Sequence, residues 1–155
     1  MRRGVRIGVD VGTVRIGVSR SDGEGLIATP VETVKRDSSG GDQRRLQAIA
    51  AEVEACEFIV GLPLALSGAH TASTGDAVGF AQILASQIPI PVRLVDERLS
   101  TVSATAALRA SGKRSKASRP VIDQVAATII LQHALDTERS TGKPPGTLVA
   151  PNIGS

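Results

Sequence analysis

Residues 5–18 read VRIGVDVGTVRIGV, and the placement of Asp10 in that run limits what the chain can become. The segment predicts two strands joined by a tight turn at Gly12-Thr13. In the first, Val5, Ile7, Val9 and Val11 share one face, and Gly8, Asp10 and Gly12 share the other. A carboxylate among strand residues this apolar incurs a desolvation cost unless something compensates it. The glycines at i−2 and i+2 clear space beside it, as glycines in strands do where a ligand or another backbone comes close. A metal ion or a phosphate beside Asp10 would account for all three features. A structural ion pair to Arg6 or Arg15 would account for the charge alone.

The rest of the chain supplies a frame for that site. Strands are expected at about 4–11, 14–20 and 25–34, with Ser21-Asp22-Gly23 at the second turn. Asp42 is a candidate N-cap for a helix whose stripe is Leu46, Ile49, Ala50 and Val53. A short apolar strand at 58–62 stops at Pro63, and a loop is expected over 63–75. Ala77, Phe80, Ala81, Leu84, Ala85 and Ile88 mark a second helix, ended by Pro89 and Pro91, before a strand at 92–95. A third helix is expected from Ser100 to Ser111, with Gly112 after it, and a fourth with Pro120 in its first turn. The order βββαβαβαα predicts an α/β fold. Its mixed five-stranded sheet has a three-strand antiparallel meander plus two parallel strands, flanked by helices. One domain over 1–140 is expected, with 141–155 as a mobile tail because no periodicity extends there.

Composition narrows the function. No apolar run reaches membrane-spanning length and residues 1–10 lack a signal-peptide pattern, so a cytoplasmic protein with no membrane partner is expected. The single cysteine, Cys56, excludes an internal disulfide framework and a Cys-rich zinc site, and suits a small buried side chain. Residues 109–119, RASGKRSKASR, hold five cations and no acid, a candidate contact to a phosphate backbone. Phe58 and Phe80 are the only aromatics, so a nucleic-acid ligand would be read by backbone and shape rather than by base stacking.

Three acids fall where such a fold places functional groups: Asp10 in a strand, Asp96 or Glu97 after a strand end, and Asp123 early in the last helix. Asp96 and Glu97 point to opposite faces, so one of them joins Asp10. Asp123 also has a plain alternative, as a complement to its helix dipole. Converging carboxylates without His or Cys suit Mg²⁺ or Mn²⁺, and a pair of such ions suits phosphodiester hydrolysis.

IGVDVGTVRIGVS at 7–19, IVGLPLALSG at 59–68, DERLST at 96–101 and IDQVAATIILQ at 122–132 together resemble the YqgF/RuvX family of RNase H-like proteins, in the family's order. The resemblance implies an RNase H-like fold and a metal-dependent nuclease with Asp10, Glu97 and Asp123 as metal-binding catalytic acids. Members are described as nucleases acting on the 5′ end of pre-16S rRNA or as Holliday junction resolvases. Structured RNA or branched DNA is the implied partner, and junction cutting implies a homodimer, since two symmetric cuts need two sites. The family usually has Lys or Arg where this chain has Val14, which leaves Arg15 as the cation of that turn. Arg15, Arg98, Lys113, Arg114, Lys116 and Arg119 are the expected nucleic-acid contacts; for Arg98 an ion pair with Asp96 is the alternative.

Two other classes compete. DVGTVRIGV also resembles the first phosphate loop of the sugar kinases, actin and heat-shock ATPases, but no second phosphate loop is present. A non-catalytic nucleic-acid or ribosome-associated protein would use the same basic segment and keep the acids only as structure.

Overall fold

In the computed structural model, which describes residues 3–65, 67–97 and 119–150, alternation in the first strands becomes a two-faced sheet. Strands β1 (Arg6–Val11), β2 (Arg15–Ser21) and β3 (Ala28–Lys35) form the meander. Helix α1 (Gly41–Glu52), β4 (Glu57–Leu62), α2 (Ala72–Gln87), β5 (Val92–Asp96), α3 (Arg119–Thr141) and β6 (Thr147–Leu148) follow. The order across the sheet is β3-β2-β1-β4-β5-β6. β1 and β2 are antiparallel, as are β2 and β3, while β4 runs parallel to both β1 and β5. The α/β meander-plus-parallel architecture is therefore as expected, with one strand more.

Each face buries its own core. Ile7, Val9, Ile16, Val18, Phe58 and Val60 point toward α1 and α2, where they meet Leu46, Ile49, Phe80, Ala81 and Leu84. Ile59 and Val95 point the other way, against Ile130, Leu131, Ala134 and Leu135 of α3. Burying side chains of this size stabilises the fold by about 1.5–3 kcal/mol each. At the start of β1, Arg6 is buried in an ion pair with Glu138 of α3 at 3.3 Å, and Arg93 meets buried Glu57 at 2.7 Å.

Three boundaries differ from expectation. Helix α2 starts at Ala72, inside the expected 63–75 loop, because Thr71 and Thr74 form a reciprocal capping box. Asp42 is not a cap: Gly40 holds the N-cap position at φ 91°, and Asp42 is the second helical residue, paired with Arg36 at 3.4 Å. The sixth strand lies in the tail expected to be mobile. There Thr147 and Leu148 pair with β5, the Val149 amide donates to the Val92 carbonyl, and the Val149 side chain is buried. A two-residue strand leaves no alternating pattern to read. The expected helix at 100–111 lies outside the described residues.

Candidate active site

Glycines on the α3 face let the helix that carries Asp123 close on the strands beside Asp10. A Cβ on Gly17 would lie 1.9 Å from the Asp123 carbonyl oxygen, so the early part of α3 rests on β2 where only glycine fits. Gly17 is also the cross-strand partner of Asp10. A Cβ on Gly8 would meet Ser19, Leu131 and the Ala127 carbonyl within 3 Å. The space beside Asp10 that the sequence suggested for a ligand is therefore partly filled by the helix, and its consequence is to deliver Asp123. Further bonds fix α3 in place. Ser19 Oγ donates to the Ala127 carbonyl at 2.8 Å, and Gln132 Oε1 accepts from the Ala28 amide at 2.8 Å.

Glu97 arrives from the other side. Arg93 and Val95 of β5 share one face and Asp96 takes the opposite one, exposed. The next residue, Glu97, turns toward α3, with its amide on the Leu62 carbonyl at 3.2 Å and Oε2 only 2.4 Å from where a Gly61 Cβ would stand. Val9 pairs with Val60, so Gly61 is one step beyond that pair on the strand beside Asp10.

Electrostatics mark Asp10 as under-compensated. Burial, and then the nearby Asp123 carboxylate, push its pKa up from 3.8 to about 6. Neither arginine proposed to neutralise it does so: Arg6 pairs with Glu138, and Arg15 Nε donates to Asp123 Oδ2 at 2.8 Å. Asp123 is the fifth residue of α3 and bonded to Arg15, which makes a helix-dipole role secondary. The donor chemistry, oxygen only and net negative, fits a hard divalent cation. As they stand, no three His, Cys, Asp or Glu side chains among the described residues are close enough together to hold one.

Arg36 is a site-supporting residue the sequence did not reveal. Its amide donates to the Val14 carbonyl at 2.9 Å and its Nη1 to the Gly12 carbonyl at 2.8 Å, while Asp76 of α2 holds the same guanidinium. Nothing local in the sequence signals these contacts. Gly17 could have been found, because VRIGV at 5–9 recurs at 14–18 and places a second glycine opposite the acid. Among the expected nucleic-acid contacts, Arg15 lies on Asp123; Arg98, Lys113, Arg114 and Lys116 lie outside the described residues, and Arg119 begins α3.

Known proteins share this arrangement of sequence and fold. The RuvX family model, described as Holliday junction resolvase, matches residues 4–137. A protein of Leifsonia xyli subsp. xyli named "Putative pre-16S rRNA nuclease" is 65% identical over 154 residues, covering 99% of each chain. One of the same name from Streptomyces coelicolor is 53% identical over 147 residues, covering 94% of this chain and 88% of that one. Among solved structures, Thermus thermophilus RuvC in complex with a Holliday junction substrate superposes with a TM-score of 0.56 at 20% identity, covering 88% and 97% of the two chains. At that identity the likeness speaks for the fold, and it is the RNase H-like one. With the family model spanning β1 to β5 and most of α3, the chain belongs to the RuvX family.

Proposed function

We propose that this protein is a metal-dependent nuclease that hydrolyses phosphodiester bonds in structured RNA, processing the 5′ end of pre-16S rRNA. The observation that carries the reading is the seating of α3 on Gly17, opposite Asp10, which brings the Asp123 charge to bear on a buried carboxyl: burial first, and Asp123 second, raise the Asp10 pKa to about 6. The curated relatives named pre-16S rRNA nuclease, 65% identical over nearly the whole chain, favour RNA.

Asp10, Glu97 and Asp123 would hold Mg²⁺ or Mn²⁺, two ions at full occupancy. When bound, the metal activates water and stabilises the departing oxygen. The chain's own residues do the remaining work. Asp10 has to be ionised to serve as a ligand, so below about pH 6 protons compete with the cation for it. The backbone of the β1–β2 turn, held by Arg36, sets the direction of Arg15. Arg15, Arg98, Lys113, Arg114, Lys116 and Arg119 provide charge for a phosphate backbone, in keeping with the shortage of aromatics for base stacking. No helix among the described residues is long and apolar enough to cross a membrane, and a cytoplasmic location follows from an rRNA substrate.

The family description favours a second reading, a Holliday junction resolvase acting as a homodimer. One assay separates the two: a 5′-extended 16S rRNA precursor and a four-way DNA junction, each incubated with Mg²⁺ and with Mn²⁺. Trimming of the RNA by a species that light scattering shows to be monomeric supports the first reading. Paired, symmetric junction cuts by a dimer support the second. Failure to cut either substrate rejects both and leaves the non-catalytic binding protein.

A further inference from the structure

We infer that Arg15 is a displaceable counter-ion: it holds the Asp123 carboxylate in the metal-free protein and releases it when a divalent cation enters, freeing a guanidinium to meet a phosphate. This rests on the metal-dependent reading and adds a residue that positions the site before the metal does.

The geometry points there in three ways. Arg15 and Gly17 are two residues apart on β2 and so share the α3 face, where Asp123 rests against Gly17. Arg15 Nε takes Asp123 Oδ2 at 2.8 Å, so a prospective ligand oxygen is already in use, in keeping with the absence of any three-residue metal cluster among the described residues. The pair is also built to exchange. Its side chains are 31% and 24% exposed, against 1% and 3% for Arg6 and Glu138, which hold the other end of α3 to β1. A partly solvated ion pair is weak enough for a divalent cation to displace.

The backbone beneath Arg15 is fixed while the side chain is not enclosed. The Gly12 amide closes the turn on the Arg15 carbonyl at 2.9 Å, and Arg36 binds the carbonyls of Gly12 and Val14. What can move is the long Arg15 side chain. Val14, 58% exposed at the tip, brings no second charge to take its place.

The test measures Mn²⁺ binding without nucleic acid, by the electron paramagnetic resonance signal of free Mn²⁺, for wild type, Arg15→Gln and Asp10→Asn. Removing the competing cation should tighten Mn²⁺ binding by about twofold to fivefold, the range an exposed ion pair commands. Affinity in Arg15→Gln equal to or weaker than wild type overturns the inference. A second measurement needs no substitution: the Arg15 Nε–H resonance of the ¹⁵N-labelled protein should shift as Mg²⁺ saturates the site, and a resonance that stays fixed overturns it as well. Asp10→Asn separates this idea from the reading beneath it. Loss of Mn²⁺ binding in that variant keeps the metal reading whatever Arg15→Gln does; unchanged binding rejects both.

Discussion

A carboxyl group that keeps its proton to about pH 6 weakens the fold whenever it ionises, and Asp10 is such a group. The unfolded chain releases this proton near 3.8 and the folded chain near 6, so the folded state binds more protons between those values. Stability therefore falls as pH rises from about 4 to 6, and the cost is fully present above 6. A shift of this size corresponds to about 3 kcal/mol at most. Asp10→Asn should raise the stability of the metal-free protein at pH 7.5 by up to that amount. The gain should fade below pH 4, as measured by urea denaturation across the pH range. The same variant should not cleave, because a neutral amide neither attracts a cation as strongly nor balances its charge. Wild-type cleavage by Asp10→Asn would sink the metal-nuclease reading. Glu97 and Asp96 give a paired test on one strand end. Glu97→Gln should abolish cleavage and Asp96→Asn should leave it nearly intact, since Glu97 lies over Gly61 on the α3 side and Asp96 is exposed on the other. The reverse pattern in the same cleavage assay would put the ligand on the wrong face.

The relation of α3 to the sheet is what brings Asp123 toward Asp10, and glycine decides it. Gly17→Ala would put a methyl group 1.9 Å from the Asp123 carbonyl oxygen. The helix must then lift from β2, at a cost of about 1–3 kcal/mol, and carry Asp123 with it. Cleavage should fall even where the variant is fully folded. Gly79→Ala in α2 is the control: nothing lies within 4 Å of the added Cβ, and alanine favours a helix. It should stabilise by about 0.5–1 kcal/mol and leave cleavage unchanged. Urea midpoints and single-turnover rates measure both. The same elements show what a sequence exposes and what it conceals. Strand alternation in 5–18 and the stripe of α3 are local patterns, so the meander and the last helix could be read directly. The seat of Asp123 could not, because Arg15 and Asp123 are 108 residues apart and only packing joins them. The start of α2 was hidden for a different reason: its capping box uses Thr74 where Glu or Gln is the usual signal. The role of Arg36 needs three separate elements in place before it exists.

At the scale of the whole molecule, charge is distributed by function more than by amount. The net charge is only +3, yet five cations fall within residues 109–119 with no acid among them. Two acids, Asp10 and Asp123, stand instead where α3 meets the centre of the sheet. A substrate guided by the first and cut at the second would bind in a strongly salt-dependent way, because each neutralised phosphate releases condensed counterions. Neutralising Lys113, Arg114 and Lys116 together should weaken RNA binding and lower the log–log salt slope by about one unit for each lost phosphate contact. Their removal should leave thermal stability within about 0.5 kcal/mol if the segment serves binding rather than folding. Single-turnover cleavage at saturating enzyme should also persist, because the acids are untouched. Fluorescence anisotropy from low to high salt provides the slope. An unchanged slope would remove this segment from the binding surface and leave Arg2, Arg3 and Arg6 at the N-terminal end to be tested in its place. Of these, Arg6 is the least suited, since it is 1% exposed and committed to Glu138. A drop in binding with no change in slope would mean that the three cations act through folding of the segment rather than by touching phosphate.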